Sequence, residues 1–341
     1  MKVLITGGAG YIGSHTIIEL ISALPKTEII SIDNFCNSTP ETFIRIEKIT
    51  GRKIVNHQID LTDINAVHKF FSTNSDINSI IHFAALKAVG ESVEKPLLYF
   101  ENNNGSLLNL LKCVEEFNIP NFIFSSSCTV YGTVEKLPVT ENTPLQKTES
   151  PYGHTKIVGE ELLQNFQKAS SKFNCVLLRY FNPVGAHISG LIGELPLNKP
   201  NNLVPLITGN AIGKYGSLTV FGTDYNTRDG SCIRDYVHVS DIANAHVKAL
   251  IYLQGKKNSE TFIFNLGTGN GVTVLELIDA FEKNTGIKLN YHLGDRRSGD
   301  VSAIYANNSK AKAELNWIPK YSVSDMMTSA WKWEQHISDT V

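Results

Sequence analysis

The sequence has few cysteines and no long hydrophobic segment. Its cysteines are odd in number, widely separated and never spaced as Cys-x-x-Cys: Cys36, Cys113, Cys128, Cys175 and Cys232. This pattern excludes a disulfide framework and a cysteine zinc site. The apolar residues before Thr6 are far fewer than a signal peptide uses, and no later run approaches the roughly 18 residues of a membrane helix. We therefore expect a cytoplasmic protein with reduced thiols.

An excess of charge of one sign is also absent. The 31 Lys and Arg residues and 33 Asp and Glu residues give a formal net charge of −2. Nucleic acid and anionic membranes attract strongly basic surfaces, so a small molecule is the expected partner instead. The 10 histidines show no metal-ligand spacing, and neither Gly-x-Ser-x-Gly nor His-Glu-x-x-His occurs. The sequence thus supports neither a hydrolase nor a metalloenzyme, and no metal is expected.

Short β-branched and apolar runs recur along the 341 residues, with helical stretches between them. The expected strands are residues 3–6, 28–33, 79–84, 121–126, 176–180 and 262–266. Apolar character on both faces is typical of a parallel sheet that helices cover on both sides. The pattern predicts an α/β fold with a doubly wound parallel sheet of the Rossmann type.

Three glycines, Gly7, Gly10 and Gly13, follow the first strand and open a helix predicted over residues 11–20. A helix N-terminus offers free N–H groups and a positive dipole end to a pyrophosphate. Asp33 ends the second strand, where a carboxylate accepts from an adenosine ribose and repels a 2′-phosphate. The combination predicts a site for NAD rather than NADP. The expected cofactor residues here are Gly7, Gly10, Tyr11, Ile12, Gly13 and Asp33, with Asp60 and Leu61 beside the adenine and Phe83 and Ala84 lining the trench.

A change in amino-acid composition divides the chain into two expected domains. After residue 183 a long stretch is interrupted by glycine and proline, which no regular helix could cross. We assign residues 1–180 to the NAD-binding domain and 181–341 mainly to a smaller, discontinuous substrate domain. Residues 236–266, helix-like and then apolar, are expected to return to the first sheet.

Two Tyr-x-x-x-Lys pairs are candidates for a catalytic base. Tyr252 and Lys256 lie beside a glycine and a polar run that indicate a helix end, so that pair is interpreted as accidental. Tyr152 and Lys156 follow a Ser-Pro pair that can start a helix and place both side chains on one face. Tyr152 and Lys156 are therefore the predicted catalytic pair.

The serines at residues 125–127 supply the expected third member, at the strand end where α/β sheets bind ligands. A phenol with a pKa near 10 needs a shift of about three units, roughly 4 kcal/mol, to act as a base near neutrality. The ammonium of Lys156 and a nicotinamide cation are the expected sources of that shift. Tyr152, Lys156 and Ser127 are therefore the predicted catalytic residues.

Three segments resemble the extended short-chain dehydrogenase/reductases, the NAD-dependent epimerase/dehydratase family: Gly7-Gly8-Ala9-Gly10-Tyr11-Ile12-Gly13, the serines before Cys128-Thr129-Val130-Tyr131-Gly132, and Ser150-Pro151-Tyr152-Gly153-x-x-Lys156. Residues 82–92, 178–187 and 234–239 are similar to the members that epimerise UDP-hexoses. The likeness runs nearly from end to end.

The resemblance implies a tightly held NAD, a UDP-hexose substrate and a two-domain homodimer. The implied reaction interconverts UDP-glucose and UDP-galactose. Tyr152, assisted by Ser127, takes the proton of the 4-hydroxyl while C4 gives hydride to NAD; the 4-keto sugar then turns over and receives the hydride on its other face. Lys156 would hold the ribose and lower the pKa of Tyr152.

Further site residues come from the same resemblance. Those implied for the cofactor are Asn34, Asn37, Ser38, Lys87, Ser125 and Tyr180. Those implied for the UDP-sugar, besides Ser127 and Tyr152, are Asn182, Asn202, Leu203, Arg234, Arg297 and Asp300, with Phe221 at the uracil. Arginines can neutralise a diphosphate by forked hydrogen bonds, although an ordinary exposed ion pair is the alternative for both of them.

The sequence departs from the family pattern at two places. The segment Asn-Asn-Asn-Gly-Ser at residues 102–106 is one residue shorter, so no particular Asn is assigned to the nicotinamide side. The sugar-pocket position, usually Tyr or a small residue, is Ile304, which is branched at Cβ and stiff. We expect good activity on UDP-glucose and UDP-galactose and weaker activity on UDP-N-acetylhexosamines.

Three other functions stay open at this point. A 4,6-dehydratase or decarboxylase needs extra acid and base groups just after the catalytic serine, where this chain has Cys128 and Thr129. A dehydrogenase that releases NADH in each turnover shares the catalytic trio, so cofactor retention distinguishes it. A non-catalytic NAD-sensing protein often lacks the Tyr or the Lys, and both are present here.

Overall fold

The computed structural model describes residues 1–197, 200, 202–256, 258–297 and 300–339. The strands within them are β1 Lys2–Thr6, β2 Glu28–Ile32, β3 Val55–His57, β4 Ser79–His82, β5 Asn121–Ser127, β6 Asn174–Tyr180, β7 Asn182–Val184, β8 Leu218–Phe221, β9 Ile233–Arg234, β10 Tyr236–His238, β11 Thr261–Leu266, β12 Val272–Thr273, β13 Tyr291–Gly294 and β14 Ala303–Ile304.

The helices are α1 Tyr11–Ala23, α2 Glu41–Thr50, α3 Ile64–Thr73, α4 Val89–Glu94, α5 Pro96–Tyr99, α6 Ser106–Glu116, α7 Pro151–Ala169, α8 Leu203–Ala211, α9 Val239–Gln254, α10 Val274–Thr285, α11 Ser309–Glu314 and α12 Val323–Ser338. A π-helical turn, Phe100–Gly105, joins α5 to α6, and a 3-10 turn, Cys128–Tyr131, follows β5.

A seven-stranded parallel sheet in the order β11-β6-β5-β4-β1-β2-β3 forms the centre of the molecule. Its inner strands are apolar on both faces, because α1, α2 and α9 pack on one side and α3, α6 and α7 on the other. The order reverses between β1 and β4, and ligands of such sheets bind at the carboxyl ends near this point. The predicted doubly wound fold is confirmed.

Strand ends differ slightly from the predicted ones. β4 ends at His82, so Phe83 and Ala84 lie in the following loop, and β5 extends to Ser127. β3 has only three residues and exposes Val55, so its apolar pattern was too weak for an apolar-run prediction. Among the helices of the described residues, none is long and apolar enough to cross a membrane.

The chain after residue 181 builds short sheets beside the carboxyl ends of the main sheet. β7 pairs with β10, β8 pairs with β13, and β9 lies between β12 and β14. Helices α8, α10 and α12 contribute to a separate apolar cluster here. β11 then pairs in parallel with β6, so the chain returns to the edge of the main sheet.

Candidate active site

The glycine loop after β1 leaves no room for side chains at Gly7 and Gly13, among other positions. Gly7 has φ of +74°, a conformation that favours glycine, and a Cβ there would lie 2.8 Å from the Ala84 nitrogen. A Cβ on Gly13 would lie 2.2 Å from the Gly7 carbonyl oxygen. Gly10 is the N-cap of α1 and makes no side-chain cap bond, so N–H groups at the helix N-terminus have no side-chain acceptor among the described residues. This cradle fits the pyrophosphate of a dinucleotide.

Asp33 joins the glycine loop to the turn after β2. Its Oδ2 accepts from the Ala9 nitrogen at 2.9 Å, and its Oδ1 accepts from Ser38 Oγ at 2.8 Å and from the Phe35 nitrogen at 2.9 Å. Phe35 has φ of +61°, so this turn is strained and its shape depends on the Asp33 carboxylate. The predicted ribose acceptor therefore also organises the loop.

The other residues predicted beside the adenosine lie around this turn. Asn34 Nδ2 donates to Asp60 Oδ2 at 3.1 Å, Asn37 is exposed, and Leu61 is buried beneath them in the apolar cluster that includes β2. The structure thus groups these residues at the carboxyl end of β2. Their contact with a cofactor stays a prediction.

Helix α7 carries the predicted base. Its N-cap, Ser150, accepts from the Gly153 nitrogen at 3.2 Å, which fixes the helix start next to Tyr152. Tyr152 and Lys156 lie one turn apart and are 8% and 5% exposed. Ser127, at the end of β5, lies close enough to the Tyr152 side chain to lower its pKa. The structure therefore brings the predicted trio together.

Burial controls the protonation of this trio. Burial raises the pKa of Tyr152 to about 12, although the neighbouring Ser127 acts in the opposite direction. Burial lowers the pKa of Lys156 to about 8, and the nearby Glu160 opposes that change. Lys156 Nζ donates to the Ser125 carbonyl oxygen at 2.8 Å. The protein alone does not make Tyr152 a base, so a further positive charge is needed beside the phenol.

Ser125 and Tyr180 lie near a buried histidine. Ser125 Oγ is 3.0 Å from His246 Nε2, and His246 Nδ1 is 2.8 Å from the Ile242 carbonyl oxygen. Since a carbonyl only accepts, Nδ1 carries the proton and Ser125 donates to Nε2. The Phe83 ring lies 4.6 Å from the imidazole ring, and burial raises the pKa of the Tyr180 phenol. His246 thus orients a predicted cofactor residue.

Two predicted residues from different parts of the site share one carboxylate. Glu194 Oε1 accepts from Lys87 Nζ at 2.8 Å and from Asn202 Nδ2 at 2.9 Å. The Tyr11 hydroxyl donates to the Gly185 carbonyl oxygen, so the start of α1 also contacts the second region. These contacts connect the carboxyl end of the main sheet to the chain after residue 181.

The predicted diphosphate residues form a cluster. Arg297 holds Asp300 with two hydrogen bonds of 2.9 and 3.2 Å, and Arg234 Nη2 donates to the same carboxylate at 3.2 Å. Phe221 is exposed, with the Arg297 guanidinium 5.9 Å from its ring centre. The alternative ion pair is therefore present, but two guanidinium groups share one carboxylate. One positive charge remains for an anion.

The shortened asparagine segment lies in the π-helical turn. Asn103 accepts from the Leu86 nitrogen at 2.8 Å and donates to Thr155 Oγ1 at 3.1 Å. Asn104 donates to the Thr155 carbonyl oxygen, while its own Oδ1 is buried without a hydrogen-bond partner among the described residues. Asn103 thus connects the loop after β4 to α7, and the Oδ1 of Asn104 can accept a hydrogen bond from a ligand.

Three remaining residues lie on the short strands and α8. Ile304 pairs with Arg234 in the β9–β14 register and is 6% exposed in the apolar cluster next to the main sheet. Asn182 starts β7 with a buried Oδ1 that has no partner among the described residues, and Leu203 starts α8. Their contacts with a UDP-sugar stay predictions.

Sequence reasoning missed Glu160, which is fully buried one helical turn after Lys156. A Lys-x-x-x-Glu spacing on α7 was the available signal, because it places both groups on one face. Charged residues are almost never fully buried unless they are paired, and the partner, Arg179, is distant in sequence. Glu194 and His246 were also missed, and no motif marks them.

Fold and side chains together are those of the extended short-chain dehydrogenase/reductases. A family model described as GDP-mannose 4,6 dehydratase matches residues 4–330. The UDP-glucose 4-epimerase of Pasteurella multocida (strain Pm70) is 48% identical over 335 residues, covering 98% of each chain. With this similarity over its whole length, the chain belongs to the UDP-glucose 4-epimerase family.

Solved structures agree with this assignment. The UDP-glucose 4-epimerase of Bifidobacterium longum in complex with NAD+ and UDP is 44% identical, with a TM-score of 0.95 over 100% of both chains. The enzyme of Stenotrophomonas maltophila with bound NAD and formylated UDP-arabinopyranose is 42% identical, with a TM-score of 0.96 over 100% of both. The resemblance that the sequence motifs indicated is confirmed.

Proposed function

We propose that the protein interconverts UDP-glucose and UDP-galactose with a tightly held NAD. The carrying observation is the buried Tyr152, beside Ser127 and one turn from Lys156, at the same sheet edge as the glycine cradle. NAD, when bound, supplies the hydride acceptor and donor for C4 of the sugar. Because that carbon is first oxidised and then reduced, the reaction consumes no cofactor.

The side chains of this chain provide the proton chemistry and the binding. Tyr152 takes the proton of the 4-hydroxyl and later returns it, with Ser127 as its hydrogen-bonding partner. Lys156 holds the ribose and contributes positive charge beside the phenol. Arg234 and Arg297 bind the diphosphate, for which their cluster with Asp300 has one charge to spare.

We assign the NAD to residues 1–180 together with 236–266, and the UDP-sugar mainly to the rest of 181–341. The pairing of β11 with β6 and the packing of α9 against α1 support this division. The five cysteines are all free, which supports a reducing compartment, and we place the protein in the cytoplasm.

A homodimer is also proposed. The helices next to α7 expose several apolar side chains: Val89, Val93, Leu97, Leu98 and Leu108. Exposed apolar side chains on neighbouring helices, with Leu97 81% exposed, support a protein contact, and a second copy is the expected occupant. Sedimentation should give a dimer that Leu97→Asp converts to a monomer, with Ile44→Asp on α2 as the matched control.

One experiment separates the epimerase from the alternatives. The purified protein is incubated with UDP-galactose and no added NAD, and UDP-glucose is measured; a second sample is denatured and its supernatant analysed for NAD(H). We expect UDP-glucose and released NAD(H). A need for stoichiometric NAD with accumulation of NADH would show a dehydrogenase instead. No carboxylate stands at Cys128 or Thr129, so a dehydratase product is not expected.

A further inference from the structure

A buried ion pair lies next to the catalytic residues. Arg179 on β6 donates to Glu160 on α7 through Nε, at 2.9 Å, and through Nη2, at 2.6 Å. The two side chains are 3% and 0% exposed. Ser126 on β5 donates to the same Glu160 carboxylate at 2.5 Å. One carboxylate therefore joins α7 to β5 and β6.

These contacts reach the elements that carry the catalytic side chains. Ser126 directly precedes Ser127, and Lys156 lies one turn before Glu160 on the same helix face. We propose that Glu160 is a positioning residue for the proton transfer at Tyr152, acting through Lys156 and through β5. This inference rests on the proposed function, since it assigns a role within that reaction.

The charge of Glu160 acts on Lys156. Burial lowers the pKa of Lys156 to about 8, and Glu160 opposes this effect. Burial also keeps the other facing groups neutral, since it lowers the pKa of His82 on β4 to about 3 and raises that of Tyr152 to about 12. Arg179 is paired with Glu160 itself. Without the carboxylate, Lys156 would lose its proton at lower pH.

Structural stability alone does not account for this pair. Desolvating two charges costs about as much as their attraction returns, and apolar replacements of buried pairs are often neutral or stabilising. The pair also extends to β11, because Arg179 donates to the Tyr131 hydroxyl at 3.1 Å and Tyr131 donates to Asn265 at 2.6 Å. Apolar side chains could pack there, but they could not keep Lys156 an ammonium.

The test compares pH profiles of kcat and KM for UDP-galactose, from about pH 6 to about pH 9.5. In Glu160→Gln we expect the alkaline fall of kcat to move to lower pH by about one unit or more, with KM unchanged. Glu160→Asp keeps the charge, so its profile should resemble the wild type. Glu161→Gln, an exposed neighbour on the same helix, is the matched control.

Because Glu160→Gln leaves the Arg179 cation buried, Glu160→Gln/Arg179→Met is measured beside it and should shift in the same direction. A kcat lowered equally at every pH in both Gln variants would show a purely structural role and overturn the proposal. If neither folds, Ser126→Ala decides, because wild-type kcat and a wild-type pH profile after loss of its bond to Glu160 would also overturn the proposal. A wild-type protein without epimerase activity would refute the proposed function instead.

Discussion

Replacing Tyr152 by Phe removes one hydroxyl group and keeps the buried ring. Loss of that hydroxyl, which lies beside Ser127, costs the fold only about 1 kcal/mol. Its pKa of about 12 lies some five units above neutrality, so forming the phenolate in the protein alone would cost about 7 kcal/mol. In the proposed reaction, positive charge from Lys156 and the cofactor would offset that cost. Only a phenol at this position has a proton that this positive charge can help to remove.

We therefore expect Tyr152→Phe to lower kcat at least about 100-fold, or about 2.7 kcal/mol in activation free energy. The assay is the initial rate of UDP-glucose formation from UDP-galactose, per mole of bound NAD. Tyr252→Phe is the control, since the Tyr252 hydroxyl bonds to Glu314 outside the site and its loss should leave kcat unchanged. Equal rates in the two variants would refute the choice between the Tyr-x-x-x-Lys pairs.

Three further outcomes are expected. Ile304→Ala should raise kcat/KM for UDP-N-acetylhexosamines relative to UDP-hexoses about 10- to 200-fold and lower the free energy of unfolding by about 2–4 kcal/mol. Ile304→Tyr should abolish activity on UDP-N-acetylhexosamines. If the ratio of kcat/KM values changes in neither variant, Ile304 does not line the sugar pocket. Arg297→Ala should raise KM for UDP-galactose about tenfold or more. It should change the free energy of unfolding by less than about 1 kcal/mol, because the Arg297 side chain is 55% exposed and Arg234 still pairs with Asp300. Burial raises the pKa of Asp241 to about 6, so its contribution to folding stability is fully present below its ordinary pKa and is lost as pH rises through about 6. Asp241→Asn should therefore raise the melting temperature near pH 8 and leave it unchanged near pH 4.

Local patterns made much of the fold and site predictable. The glycine loop and Asp33 follow from strand ends and backbone geometry, and a Ser-Pro pair with Tyr152 and Lys156 fixes a helix start and a helix face. In each case, residues close in sequence carry the whole signal. The structure agrees with these elements to within a few residues.

What could not be predicted depends on contacts between distant residues. The pairing of Ile304 with Arg234 uses strands of two residues, which have no periodicity to detect. Glu160 and Arg179 are typical of exposed charges until the fold brings them together. The π-helical turn likewise depends on Asn103, which bonds to Leu86 and to Thr155. Local propensities give no sign that these two segments meet.

The double engagement of Asp33 limits how cofactor preference can evolve. The carboxylate that would repel a 2′-phosphate also accepts from the Ala9 nitrogen and from Ser38. A single substitution toward NADP would therefore loosen the pyrophosphate cradle before any new phosphate contact exists. We therefore expect a change of cofactor preference to need replacement of Asp33 together with its partners in the turn after β2.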